Sequence, residues 1–357
     1  MKILLLGGTG AIGGDLTTIL ANQGQDVYVT TRRSRQELPS VHYFVGNAHN
    51  DEFLQQIFSK NSFDVIVDFM VYASEEFKGK CNFLLSNCKQ YIFTSSSRVY
   101  AETITTINED SARLLDASSD KEYLMTDEYA LSKAREENIL IQSKRKNWTI
   151  IRPYITFNRE RLQLGVLEKG YWLYQALHDR TIIFSEDIAN KSTTLTYGYD
   201  VARCIASIIG KSTTFGQIIN LTTSESHKWS EVFDLYIRVL EDELDRKVKY
   251  KIVKNSPNLN FPSEKWQVLY DRLYDRKFDT TKLNEYFDVS TFKPTLEGLE
   301  LCLRSFIKDP VFGNLNWRQM ALYDSIAGEW LPLSVLPTLK SKIGYLFKRL
   351  LLSLIHI

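Results

Sequence analysis

Short apolar runs separated by amphipathic stretches mark the first 155 residues. Six of these runs, near Lys2–Leu6, Asp26–Thr31, His42–Val45, Val65–Phe69, Tyr91–Ser95 and Trp148–Arg152, have the length of strands. Between them, Ala11–Asn22, Asp51–Phe58, Glu75–Ser86 and Glu128–Ser143 have helical length and composition. Such alternation predicts an α/β fold, a doubly wound parallel sheet with helices on both faces. In that architecture ligands bind at the carboxyl ends of the strands.

After Pro153 the rhythm loosens into arginine-bearing turns (Arg159, Arg161), an aromatic stretch (Tyr171, Trp172, Tyr174) and a strand-helix element around Leu195–Ile209. The expected organisation is a sheet domain over 1–155 and a smaller substrate-binding part over 156–330, interleaved with returning sheet elements. A basic amphipathic tail over 331–357 follows. No internal repeat or low-complexity tract interrupts it. Beyond Glu329 the chain carries no acid, and Lys340, Lys342, Lys348 and Arg349 stand among Leu339, Ile343, Leu346, Phe347, Leu350 and Leu354. Two readings of that helical spacing stay open. The helix docks on the body or on a second subunit, as in a homodimer, or it lies on an anionic membrane surface.

Composition narrows the class. Of 357 residues 44% are hydrophobic and 24% charged, which is ordinary for a folded globular protein. Lys and Arg (44) balance Asp and Glu (43), so no global field draws the molecule to nucleic acid. Cys81, Cys88, Cys204 and Cys302 form no C-x-x-C and read as buried thiols. His42, His49, His178, His227 and His356 are scattered, and no metal site is expected. The apolar start, Ile3–Leu6, is broken at once by Gly7 and Gly8. It is too short for a signal peptide or a span, so the expected location is cytoplasmic, peripheral to the inner face of the membrane if the tail docks there.

Candidate chemistry begins directly after the first strand, where Gly7-Gly8-Thr9-Gly10-Ala11-Ile12-Gly13 leads into a helix. Absence of Cβ lets backbone N–H groups approach a pyrophosphate at the helix N-terminus, where the dipole favours negative charge. At the end of the second strand, where an acid would meet the ribose of NAD, Thr31 and Arg32 offer a hydroxyl and a guanidinium. Those groups suit a 2′-phosphate and favour NADP. Further on, Tyr129 and Lys133 stand four residues apart on one helical face, with Leu131, Ala134 and Ile141 as an inward stripe. A cation there stabilises phenolate and fits the hydroxyl for proton exchange near neutral pH. Ser95, Ser96 and Ser97 lie at the carboxyl edge of the sheet, where a hydroxyl can orient a substrate oxygen; spacing alone leaves the choice among them open.

The glycine run, Ser95-Ser96-Ser97-Arg98-Val99-Tyr100, Tyr129-x-x-x-Lys133 and Arg152-Pro153 occur in an order that resembles the extended short-chain dehydrogenases/reductases. These belong to the NAD-dependent epimerase/dehydratase family, which includes UDP-galactose 4-epimerase and nucleotide-sugar dehydratases. The likeness is clear from Met1 to Pro153 and fainter to about Leu221, with Thr193–Ala206 similar to the family's strand and Asp-Val-Ala helix. It implies a Rossmann domain and an NAD(P)-dependent oxidoreductase or epimerase acting on the C–OH or C=O of a nucleotide-linked sugar. It also selects Ser96 to hydrogen-bond substrate, Tyr129 as acid/base, and Lys133 to hold the nicotinamide ribose and tune Tyr129. Asn47 and Ala48 would flank adenine, Phe69 and Met70 would line the cofactor, and Pro153 would lie near the carboxamide.

Three departures qualify the likeness. Val67-Asp68-Phe69-Met70-Val71 replaces a run of small residues and crowds the cofactor wall. Ala101 replaces the Gly after Val-Tyr. Ile155 stands where many members have Asn on the substrate phosphate, leaving Arg159 or Arg161 to supply that contact. Ser97 and Arg98 fill the positions of a dehydratase acid, which favours epimerisation or reduction over dehydration. The competing function is a non-catalytic or RNA-binding module, as in the chloroplast stem-loop RNA-binding relatives of this fold. Near-zero net charge speaks against it.

Overall fold

Seven parallel strands form the central sheet of a computed structural model that describes residues 1–36 and 38–355. His356 lies outside the described residues, as does the side chain of Leu354. In chain order the strands are β1 (Lys2–Leu6), β2 (Asp26–Thr31), β3 (Val41–Val45), β4 (Phe63–Asp68), β5 (Cys88–Thr94), β6 (Trp148–Pro153) and β7 (Gln217–Leu221). Their spatial order is β7-β6-β5-β4-β1-β2-β3. The order reverses between β1 and β4, so the crevice beyond their carboxyl ends is the topological switch point.

Period-two alternation divides the core into two layers. Ile3, Leu5, Val27, Val29, Val65, Val67, Ile92 and Ile151 pack against Leu16 and Leu20 of α1 (Ala11–Asn22). On the same face they meet Val201, Ile205 and Ile208 of a later helix, Gly198–Ile208. The intervening residues Leu4, Leu6, Ile66, Tyr91, Phe93 and Ile150 meet α2 (Asp51–Lys60), α3 (Ser74–Ser86) and α4 (Tyr129–Gln142) through Leu54, Ile57, Phe77, Leu84 and Leu140. With apolar side chains on both faces, these strands read as near-continuous hydrophobic runs. On α4 the inward stripe closes at Leu140 and not at Ile141, which is 39% exposed. Buried Ala130, Lys133, Ala134 and Glu137 lead at three- and four-residue spacing to Leu140 and turn Ile141 outward.

The chain divides into two compact units. The first comprises Met1–Asn158, Thr194–Ser226 and Arg276–Thr295; the second comprises Arg159–Thr193, His227–Asp275 and Leu296–Ile357. The second unit pairs Ile182–Ser185 with Tyr250–Val253 as parallel strands. It stacks Trp172 on Tyr236 with ring centroids 4.5 Å apart. It also holds the terminal helix Leu339–Ile355 by buried Tyr345, whose hydroxyl donates to Asp324 and accepts from Leu331 N. Of the four cysteines, Cys81, Cys204 and Cys302 are buried, Cys88 is partly exposed, and all are free thiols.

Candidate functional site

At the switch point the chain leaves β1 through a turn that only glycine adopts without strain: Gly7 has φ +68°. Its N–H donates to Thr30 Oγ1 at 2.8 Å, and Thr9 N closes the turn on Gly7 O at 2.9 Å. Gly13 serves packing, because a Cβ there would lie 2.6 Å from the backbone of Gly8. We expect Gly13→Ala to cost roughly 1–3 kcal/mol by overpacking the junction of α1 with the loop. Urea denaturation reads this, and an unchanged midpoint would show that the loop yields freely.

Gly10 differs from both. Its φ is −81° and a Cβ would meet no protein atom within 4 Å, so neither conformation nor packing calls for glycine there. It caps α1 without a side chain, and no acid stands in the first helical turn. The result is an exposed helix N-terminus with its N–H groups and positive dipole end open to an anion.

A cleft of about 270 Å³ opens beside this loop. Eight of the residues expected at the cofactor line it: Gly7, Thr9, Thr31, Arg32, Asn47, Ala48, Phe69 and Met70. Gly10, Ala11, Ile12 and Gly13 form the loop and first turn of α1 next to it. Pro153 ends β6 opposite Leu221. Val71, the end of the run expected to crowd the wall, joins the lining, and Thr30, Gly46 and His49, which sequence reasoning missed, complete it. His49 was legible by register, two residues beyond Asn47; its Nδ1 pairs with Glu76 at 2.8 Å. Thr31 is 6% exposed and its hydroxyl donates to Arg33 O at 2.9 Å, closing a turn, whereas Arg32 is exposed. Of the two side chains expected to meet a 2′-phosphate, Thr31 is thus committed to the turn and Arg32 stands exposed beside the cleft. Met70 crowds the wall as expected, with its sulfur 2.9 Å from where a Gly7 Cβ would stand.

Hydrogen bonding separates the three serines. Ser95 Oγ donates to Glu137 at 2.6 Å and Ser97 Oγ donates to Arg152 O at 2.7 Å. Ser96 Oγ instead accepts from Arg98 N at 3.2 Å, capping the single turn Ser97–Val99. Its own proton goes to no acceptor among the described residues. Tyr129, the first residue of α4, is half-buried beneath the Arg98 guanidinium, 5.3 Å from its ring centroid, and Arg98 pairs with Glu128 at 2.6 Å. Behind them Arg152, 2% exposed, fastens β6 to α4 through two bonds to Glu137 (2.8 and 2.6 Å) and one to Tyr100 (2.7 Å).

Lys133 is more enclosed than the sequence suggested, at 1% exposed. Its ammonium donates to Met70 O at 3.1 Å and to Glu136 at 2.9 Å, and lies 4.5 Å from the Phe93 ring centroid. Because the same Met70 walls the cleft, Lys133 sits directly behind that wall. Glu136 is fully buried, as is Asp68 at the end of β4, which accepts from Tyr91 OH (2.7 Å), Tyr72 OH (3.0 Å) and Met70 N (2.8 Å). Burial raises both carboxyls above their ordinary range, and Lys133 pulls both back down. Glu136 was visible three residues beyond Lys133 but reads in sequence as a solvated helix charge.

The profile of the "NAD dependent epimerase/dehydratase family" matches residues 3–221, well over half of the chain. The chain belongs to this family. Among curated relatives, the chloroplast stem-loop binding protein of 41 kDa b from Arabidopsis thaliana is 25% identical over 236 residues, which is 62% of this chain and 58% of that one. The dTDP-D-glucose 4,6-dehydratase of Dictyostelium discoideum is 25% identical over 180 residues, covering 42% of this chain and 41% of its own length. The chain thus spans about half the length of these two family relatives. A crystal structure of UDP-glucuronic acid 4-epimerase from Bacillus cereus, in complex with UDP-glucuronic acid and NAD, superposes with a TM-score of 0.65 at 16% identity. That superposition covers 86% of this chain and 99% of that one, a likeness of fold. Arg159 and Arg161, the candidate diphosphate ligands of this family member, pair in the second unit with acids: Arg159 with Glu160 and Asp309, and Arg161 with Glu168 at 3.7 Å.

Proposed function

We propose that this chain is an NAD(P)-dependent epimerase or reductase acting on a C–OH or C=O of a nucleotide-linked sugar. One observation carries the reading: Ser96, with an uncommitted hydroxyl proton, and half-buried Tyr129 stand at the carboxyl edge of the sheet whose switch point holds the open α1 N-terminus. The family and a structural neighbour crystallised with a nucleotide-sugar and NAD support it.

The cleft fits a dinucleotide. Thr9, Gly10 and the first N–H groups of α1 would hold the pyrophosphate, Asn47 and Ala48 the adenine, and Arg32 the adenosine ribose or its 2′-phosphate. A bound nicotinamide supplies the hydride donor or acceptor. Tyr129 exchanges a proton with the substrate oxygen, and Ser96 donates a hydrogen bond that aligns that oxygen. Lys133 keeps one N–H beyond those given to Met70 and Glu136, and its ammonium, behind the cleft wall, would meet the nicotinamide ribose. A second reading, a non-catalytic RNA-binding module, is favoured by the pairing of Lys133 with Glu136, which offsets the ammonium charge. Mass spectrometry of ligands retained on freshly purified protein separates the two readings: a dinucleotide supports the first, RNA alone the second.

No acid stands between Thr30 and Gln36, and Arg32 is exposed beside the cleft. NADP(H) is therefore expected to bind about tenfold or more tightly than NAD(H), since a charge-assisted bond to phosphate contributes roughly 1.5–3 kcal/mol. Arg32→Asp should erase or reverse the preference. Calorimetric titration of both dinucleotides measures it, and equal affinities in the parent protein would dismiss the assignment.

A further inference from the structure

The terminal helix Leu339–Ile355 is turned opposite to the usual sense of an amphipathic helix on a globular body. Its docked side carries Tyr345, 0% exposed, with Gly344 against Arg318 and Arg349 bonded to Glu329 O and stacked on Trp330. Leu346 packs partly against the same cluster. The outward side carries Leu339 (72% exposed), Ile343 (59%), Phe347 (66%), Leu350 (55%) and Leu351 (40%). These positions recur every three to four residues and form a stripe about 18 Å long at 1.5 Å per residue. An apolar stripe of that length left in water is costly unless something covers it.

Charge identifies the cover. Lys340 is exposed and Lys342 and Lys348 are half-buried, all on the helix that bears the stripe. From Trp330 onward the sequence contains no acid. The nearest acids on the packed elements are engaged inside the unit, Asp324 with Arg180 and Tyr345, and Glu329 with Thr181. Lysine is depleted in the cores of protein interfaces, whereas an apolar stripe bordered by lysines matches a bilayer, with acyl chains meeting the stripe and anionic headgroups meeting the amines. Exposed Trp330, nine residues ahead of the helix and stacked on its Arg349, is a residue type suited to the headgroup level. Among the described residues no helix is long and apolar enough to cross a membrane, so the helix lies along the surface.

We infer that the outward face of Leu339–Ile355 docks the protein on an anionic lipid surface, independently of the chemistry proposed for the first unit. The test is co-sedimentation of the full chain with phosphatidylcholine vesicles with and without about one-third phosphatidylglycerol. Binding is expected to the anionic vesicles and to be weaker on the neutral ones. Ile343→Glu combined with Phe347→Glu should reduce it on the order of a hundredfold, and Lys340→Glu combined with Lys342→Glu about tenfold. Ile343, Phe347 and Lys340 are exposed, Lys342 is half-buried, and none of the four makes a side-chain hydrogen bond or ion pair among the described residues, so thermal unfolding of the variants should match the parent. Should the apolar pair misfold, the lysine pair still decides. Failure to bind anionic vesicles, equal binding to neutral ones, or binding unchanged by either pair overturns the inference. So does a dimer at sedimentation equilibrium that Ile343→Glu with Phe347→Glu dissociates, since a second copy would then be the cover.

Discussion

Tyr129→Phe is expected to lower turnover by about two to four powers of ten while leaving the fold and dinucleotide affinity intact, the usual worth of general acid–base catalysis. The substitution removes one oxygen and keeps the ring beneath the Arg98 guanidinium, so the contact that seats the start of α4 survives. Ser96→Ala should cost less, because it removes a hydrogen bond to the reacting oxygen without removing the proton carrier. It also leaves Arg98 N without its cap, so its effect is measured beside a stability control. The assay is a panel of nucleotide-sugars followed by sugar analysis, since an epimerase regenerates its cofactor and gives no net absorbance change. Parental turnover by Tyr129→Phe on any substrate the panel finds would remove Tyr129 from the mechanism and leave the cofactor assignment standing.

Lys133→Met should affect stability and function together, and pH distinguishes the two. Without the ammonium, buried Glu136 loses its ion-pair partner and Asp68 loses its nearest cation. Breaking a buried pair by removing one member typically costs about 3–5 kcal/mol when the remaining charge stays ionised. Here it need not stay ionised, because burial already raises both carboxyls above their unfolded values. A carboxyl raised in the folded state binds its proton more tightly there than in the unfolded chain. It therefore favours folding below the ordinary carboxylate range near pH 4, and that contribution is lost as pH rises through the folded-state value. In Lys133→Met both values move further up, so the variant should lose stability as pH rises above the ordinary carboxylate range, and more steeply than the parent. Urea unfolding at a series of pH values reads this directly. Parallel profiles would mean that Lys133 does not hold the two carboxylates. Dinucleotide affinity measured at the acid end of that series, where the loss of stability is smallest, then isolates its role toward the cofactor.

Most of the first unit's sheet could be read before the structure was known, for a physical reason. Strands buried on both faces, such as Val65–Val67 and Tyr91–Phe93, tolerate little but apolar residues, and the glycine run and helical stretches punctuate them. The seventh strand, Gln217–Leu221, was harder. It carries Gln217 and Asn220 within five residues, and Asn220 is buried only because Tyr100 OH donates to it from 120 residues earlier. The same limit applies to the site. Chain-local groups such as Gly7, Thr9 and Arg32 announce themselves by position after a strand. Glu136 and Asp68 are ordinary acids until Lys133, Tyr72 and Tyr91 converge on them. The three serines could not be distinguished by spacing because their difference lies in partners, Glu137 for Ser95 and the Arg152 carbonyl for Ser97. On the terminal helix the periodicity was legible but its direction was not, since Tyr345 and its bond to Asp324 decide which face turns inward.

The three-piece construction of the first unit governs the order in which it can be completed during synthesis. A nascent chain that ends at Pro153 has β1 to β6, but the outer edge of β6 must wait for Gln217–Leu221, more than sixty residues later. Until then a strand whose Ile150 and Ile151 are wholly buried in the finished protein offers unpaired backbone groups to any neighbour. The bridge between Ile107 and Phe278 closes later still, after the first two pieces of the second unit have emerged. A fragment cut after Pro153 would therefore be a sticky, incomplete sheet instead of an autonomous domain. Expression of the parts is expected to succeed only when the chain runs through Thr295.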